Sequence, residues 1–122
     1  LSREARTVTF VENYKIVISI LRKNISNLNL SEQSKVIEKD IFKTLDFNSL
    51  NNNFDIIFLD PPYKEKFLSI ILKKIFNAKI LSKEGVIAIH RHKDEPNETN
   101  EFFNIIEEKN YGISKLIFGR FF

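Results

Sequence analysis

Residues 54–63 read FDIIFLDPPY. Phe54 to Leu59 is a nearly unbroken apolar run of strand length, the pattern of a strand buried on both faces. Asp60-Pro61-Pro62 must end it. Neither proline has an N–H to donate, so a ladder cannot continue through them. The turn is stiff and fixes two acceptors close together, the Asp60 carboxylate and the Pro61 carbonyl. Two acceptors at one point suit a group with two N–H donors, such as the exocyclic amine of a nucleobase. Tyr63 offers a flat face for the ring.

The flanking segments repeat that grammar. Thr7 to Glu12, TVTFVE, is a β-branched apolar strand closed by an acid. Asn13 is a candidate N-cap, and Tyr14, Val17, Ile18, Leu21, Ile25 and Leu28 form one apolar stripe of a helix ending near Asn27. Asn and Ser between Ser26 and Ser34 mark a loop. Lys35 to Lys39 reads as a strand ending at Asp40, with room for a helical turn over Ile41–Asp46 and a polar loop over Ser49–Asn53. Phe67, Ile71, Ile75 and Phe76 pattern a second helix. Gly85 precedes a strand over Val86–His90, and Lys93–Asn100 is a polar loop. Asn110-Tyr111-Gly112 turns a terminal hairpin whose second strand is Ile113–Phe121.

Strands alternating with helices predict an α/β fold, with a mostly parallel sheet covered on both faces. Ligands of such sheets bind outside the carboxyl ends of the strands. Glu12, Asp40 and Asp60 each stand at such an end. One acid after a strand is ordinary turn chemistry. Three in register, the third followed by Pro-Pro-Tyr, point to a site.

Composition narrows the chemistry. The 122 residues suffice for one domain with its own core. Hydrophobic residues are 43% and charged residues 29%, the balance of a folded domain. Without cysteine there is no thiolate metal site, disulfide or cysteine nucleophile. Two histidines make a histidine metal cage unexpected, so no metal is assigned. No run nears the roughly 18 apolar residues of a membrane span, which predicts a cytoplasmic protein with no membrane partner. None of the three glycines, Gly85, Gly112 and Gly119, belongs to a phosphate-binding loop. Net charge is +3, but Lys64 to Lys83 holds six lysines and one acid. That is either a solvated helix face or a phosphate-facing patch.

The decapeptide from Phe54 to Tyr63 resembles the amino-methyltransferase motif of S-adenosylmethionine-dependent enzymes. Leu1-Ser2-Arg3, Val8-Thr9-Phe10-Val11-Glu12, Lys23-Asn24 and Tyr111-Gly112 are similar to RsmD-type bacterial 16S ribosomal RNA methyltransferases, which methylate a guanine N2. The resemblance implies a Rossmann-like class I methyltransferase sheet with a C-terminal antiparallel hairpin. It implies one catalytic domain over residues 1–122, S-adenosylmethionine as cofactor, and ribosomal RNA or a small-subunit assembly particle as partner. Glu12, with Asn13 beside it, would meet the cofactor ribose; Asp40 and Ile41 would meet the adenine. Asp60, Pro61, Pro62 and Tyr63 would hold the target base, and Lys64, Lys66, Lys73 and Lys74 the RNA phosphates. His90 departs from the family pattern and receives no role; it reads as a solvated edge residue.

Relatives place a first strand and glycine-rich turn about 20 residues ahead of the ribose-binding acid. Glu12 is too near the start for that, so the chain is expected to be an N-terminally truncated piece, inactive alone. An N6-adenine DNA methyltransferase and a non-catalytic α/β binding module are the competing readings.

Overall fold

The computed structural model describes residues 6–41, 43–50, 53–60, 67–95 and 101–122, with the backbone alone at Phe67. The chain divides into two compact units, Leu1–Leu45 and Asp46–Phe122.

In the first unit, β1 (Val8–Glu12) and β2 (Ser34–Glu38) pair in parallel, with Glu12 opposite Glu38. The connection is α1 (Lys15–Asn27), as a parallel pair requires. The expected N-cap at Asn13 is not found. Tyr14 occupies that position with no side-chain cap. The Glu12 carboxylate instead accepts the backbone N–H groups of Asn13 and Tyr14, each at 3.2 Å, just ahead of the helix. The Asn13 side chain donates across to Asp40 instead of capping the helix. The predicted stripe is only partly covered. Ile18 is buried, whereas Tyr14, Val17 and Leu28 are exposed, as are Ile16 and Ile20. α1 ends on Asn29 in the left-handed region (φ 56°), with the Leu30 N–H donating to the Ile25 carbonyl at 3.0 Å.

The second unit is a four-stranded sheet in the order β3-β4-β6-β5. β3 (Phe54–Leu59) and β4 (Leu81–His92) are parallel and joined through α2 (Phe67–Ala78). β5 (Phe103–Tyr111) and β6 (Ser114–Phe121) form the expected terminal hairpin, and β6 also pairs antiparallel with β4. Gly112 makes the hairpin turn at φ 57°, a conformation that costs glycine nothing. The core is α2 on this sheet. Leu68, Ile71, Leu72 and Ile75, spaced i, i+3, i+4 and i+7, are fully buried together with Ile87, Ile89 and Ile117. Phe76 extends it by stacking on Phe102 (centroids 4.6 Å) and meeting Phe121 at 5.1 Å.

β4 begins four residues before Gly85, earlier than predicted. Phe54 pairs with Leu81, but Ile56 pairs with Val86, so β4 carries extra residues across that step. Gly85 lies inside the irregularity, where a Cβ would come within 3.0 Å of the Phe54 carbonyl and closer still to Leu81. Gly119 is the other close approach. A Cβ there would stand 2.4 Å from Phe103 and 2.6 Å from the Asn104 carbonyl. Gly119→Ala should therefore lower stability by about 1–3 kcal/mol, the cost of overpacking. Thermal unfolding of the variant checks this; an unchanged midpoint would refute the close packing.

Candidate functional site

The carboxyl ends of β1 and β2 bring Glu12, Asn13, Asp40 and Ile41 together. Asn13 Nδ2 donates to Asp40 Oδ2 at 3.4 Å, bridging the two strand ends. Asp40 is held by its own turn. The Lys43 N–H donates to Asp40 Oδ1 at 3.2 Å, and the Asp40 N–H donates to Thr44 Oγ1 at 2.8 Å. The Thr44 and Leu45 N–H groups close on the Asp40 carbonyl at 3.0 and 2.9 Å. This is the short turn expected after Asp40, and it fixes where that carboxylate points. Glu12 uses Oε1 for its two backbone bonds. An exposed pair of Arg22 and Glu38 at 2.7 Å lies at the same end of β2.

In the second unit Asp60 follows the last residue of β3 and is largely exposed. Its Oδ1 lies 3.1 Å from Nδ1 of His90, whose side chain is 30% exposed. Leu59 pairs with Ile89, so the next residues, Asp60 and His90, meet beyond the pair. His90 is thus neither at the end of its strand nor solely solvated. The strand runs on to His92. No signal in the sequence pairs position 60 with position 90; only the register does. Pro61, Pro62, Tyr63, Lys64 and Lys66 lie outside the described residues. Lys73 is exposed on α2, while Lys74 is half-buried with Nζ 5.9 Å from the Phe47 ring centroid.

A second charged cluster had no signal in the sequence. Arg91 and Lys115, cross-strand partners in β4 and β6, are 3% and 5% exposed. Glu95 stands between them in the bonding. Its carboxylate accepts from Arg91 Nη2 at 2.6 Å and from the His92 N–H at 2.8 Å, and its carbonyl accepts from Lys115 Nζ. Burial works to raise the Glu95 carboxyl. The His92 N–H, the Arg91 hydrogen bond and the Arg91 and His92 charges outweigh it and hold the group below its ordinary value. Among the described residues no cluster of three or more His, Asp or Glu could hold a metal ion. None of the described helices is long and apolar enough to cross a membrane.

A family model described as conserved hypothetical protein 95 matches residues 1–120. The chain belongs to this family. Curated relatives accord with the RsmD-type resemblance. The ribosomal RNA small subunit methyltransferase D of Haemophilus influenzae is 33% identical over 114 residues, covering 93% of this chain and 59% of that protein. The chain spans about three fifths of the length of the curated relatives it matches. A solved chain from Haemophilus influenzae is 30% identical with a TM-score of 0.75, covering 97% of this chain and 74% of that one. A Podospora anserina methyltransferase, solved with S-adenosylhomocysteine bound, is 15% identical with a TM-score of 0.73. It covers 98% of this chain and 63% of its own. At that identity it speaks to the fold alone, which is the expected Rossmann-like α/β sheet of class I methyltransferases.

Proposed function

We propose that the whole protein transfers a methyl group from S-adenosylmethionine to the exocyclic N2 amine of a guanine in small-subunit ribosomal RNA. The single observation behind this reading is Asp60, an exposed carboxylate immediately beyond a parallel strand and first in Asp-Pro-Pro-Tyr. The name of the Haemophilus influenzae relative supports the substrate class. Both units belong, on this reading, to one catalytic domain, and an enzyme with this substrate works in the cytoplasm.

The first unit suits the methyl donor. Both backbone bonds of Glu12 fall on Oε1, and its Oε2 is a natural acceptor for ribose hydroxyls. Asp40 offers an oriented carboxylate for the adenine amine, with half-buried Ile41 against the ring. Bound there, the donor supplies an electrophilic methyl on a sulfonium. The chain's own task is alignment. Asp60 and the Pro61 carbonyl accept the two amine hydrogens, which turns the nitrogen lone pair away from them and toward the methyl. The amine nitrogen, once methylated, would carry one proton too many, and water at the exposed Asp60 end of β3 would take it. Tyr63 stacks on the extruded base. Such positioning contributes several kcal/mol of the barrier reduction without covalent catalysis.

Nucleoside mass spectrometry tests the reading. The whole protein, incubated with S-adenosylmethionine and either ribosomal RNA or small-subunit particles, should yield N2-methylguanosine, and duplex DNA should react poorly. N6-methyladenine as the product would overturn it in favour of an adenine enzyme. Absence of cofactor binding would leave a non-catalytic module. Lys64, Lys66, Lys73 and Lys74 are proposed to face RNA phosphates. Lys73→Gln should then flatten the fall of log affinity with log salt by about 0.7, one single-strand phosphate contact. An unchanged slope would make Lys73 part of a solvated helix face.

A further inference from the structure

His90 lies within hydrogen-bonding distance of Asp60, with Nδ1 3.1 Å from Oδ1. We propose that His90 is a positioning residue for the Asp60 carboxylate, donating its Nδ1–H to Oδ1 so that the second oxygen faces the target amine. The inference rests on the proposed role of Asp60 and deepens it. An ionised carboxylate only accepts hydrogen bonds, so at 3.1 Å the proton belongs to Nδ1 of His90. Asp60 is 62% exposed and follows a strand end, where its side chain would otherwise sample several rotamers in water. His90 is in the opposite situation. It sits within β4, its neighbours Ile89 and Arg91 are buried, and its backbone is paired with β6 opposite Leu116. A ring anchored in a sheet interior is a rigid post for a mobile carboxylate on the adjacent strand end.

The consequence is specific. With Oδ1 engaged, Oδ2 is the oxygen left for the substrate, and the direction in which Asp60 pulls on the amine is set before the base arrives. Preorganising the acceptor acts on the rate of transfer and leaves binding of the methyl donor alone, because His90 lies on the second unit and the proposed donor contacts on the first. It also distinguishes His90 from a packing residue, since what matters is one donated N–H at the Nδ1 position. Asparagine places its amide N–H close to that position, whereas alanine has none.

The test uses the whole protein with steady-state kinetics and S-adenosylhomocysteine affinity measured in parallel on His90→Ala, His90→Asn and Asp60→Ala. His90→Ala should lower kcat by about 10- to 100-fold, the effect of a misplaced group. S-adenosylhomocysteine affinity should not change, and His90→Asn should recover most of the rate. If His90→Ala keeps the wild-type kcat while Asp60→Ala is inactive, this inference fails and the role of Asp60 stands. Equal losses in His90→Ala and His90→Asn also overturn it, because the donated N–H is then irrelevant. An active Asp60→Ala overturns the underlying reading. Nitrogen-15 NMR of the His90 ring gives a readout independent of activity and of any folding defect in the variants. A protonated Nδ1 is expected, and an Nε2–H tautomer with bare Nδ1 would refute the bond.

Discussion

Asp60→Ala is expected to cut methyl transfer by roughly 10²- to 10³-fold while leaving cofactor affinity nearly unchanged, the scale of removing one preorganised group from a reacting centre. Asp60 is proposed to touch only the target amine, and it lies on an exposed strand end, so the fold has little to lose. Glu12→Ala should show the opposite emphasis. Its carboxylate is proposed to meet the cofactor ribose, and removing it should weaken binding more than it slows a saturated enzyme. Isothermal titration with S-adenosylhomocysteine beside single-turnover kinetics separates the two. Near-normal turnover in Asp60→Ala would show the site to be elsewhere.

Glu95→Ala should be strongly destabilising for a change at a charged residue. Arg91 and Lys115 face each other across β4 and β6, both nearly inaccessible, and Glu95 is their shared acceptor. Alanine keeps the carbonyl for Lys115 but strips the carboxylate from Arg91, leaving a buried guanidinium without its counter-ion. Losing one partner of a buried pair costs about 3 kcal/mol at the low end of the usual range. Glu95 keeps some solvent contact, which favours that end. For a domain of this size the loss is about 10 °C in the unfolding midpoint. The pH dependence has a definite sign. The Glu95 carboxyl is held below its ordinary value in the folded state, so its contribution is full above the unfolded pKa and lost as pH falls through the folded one. The gap between wild type and variant should be widest near neutrality and narrow as the pH falls below the ordinary carboxylate range. A gap that does not narrow in acid would mean that the carboxylate charge is not what stabilises Arg91.

The order of elements was legible because each follows from a local rule. The run FDIIFL is strand length and ends at two prolines, and β3 is Phe54–Leu59; the burial on both faces that its apolar run predicts is not found, for Ile56 and Phe58 are exposed. Leu68, Ile71, Leu72 and Ile75 bury at helical spacing because a helix has one face to cover. Asn110-Tyr111-Gly112 marks the hairpin turn because glycine alone adopts that backbone freely. The placing of Glu12 and Asp40 at the same end of two strands also followed from strand length and the parallel direction that a strand–helix–strand order implies.

What the sequence left open depends on pairs far apart in the chain. The Asn13 cap is not formed because the helix starts one residue later, behind Tyr14, and the Asn13 side chain donates to Asp40, a partner 27 residues away. The start of β4 was misplaced because Gly85 marks an irregularity inside a strand, and only the pairing of Phe54 and Ile56 reveals it. His90 looked like an edge residue, and Arg91 and Lys115 carried no local signal. Register decides all three. Leu59 opposite Ile89 sets His90 against Asp60, and the antiparallel pairing of β4 with β6 buries Arg91 opposite Lys115. Local sequence states which residues can form a strand, since that depends on neighbours within a few positions. Which residue meets which across the sheet is fixed only when the apolar faces of distant strands are packed together and every backbone group is paired.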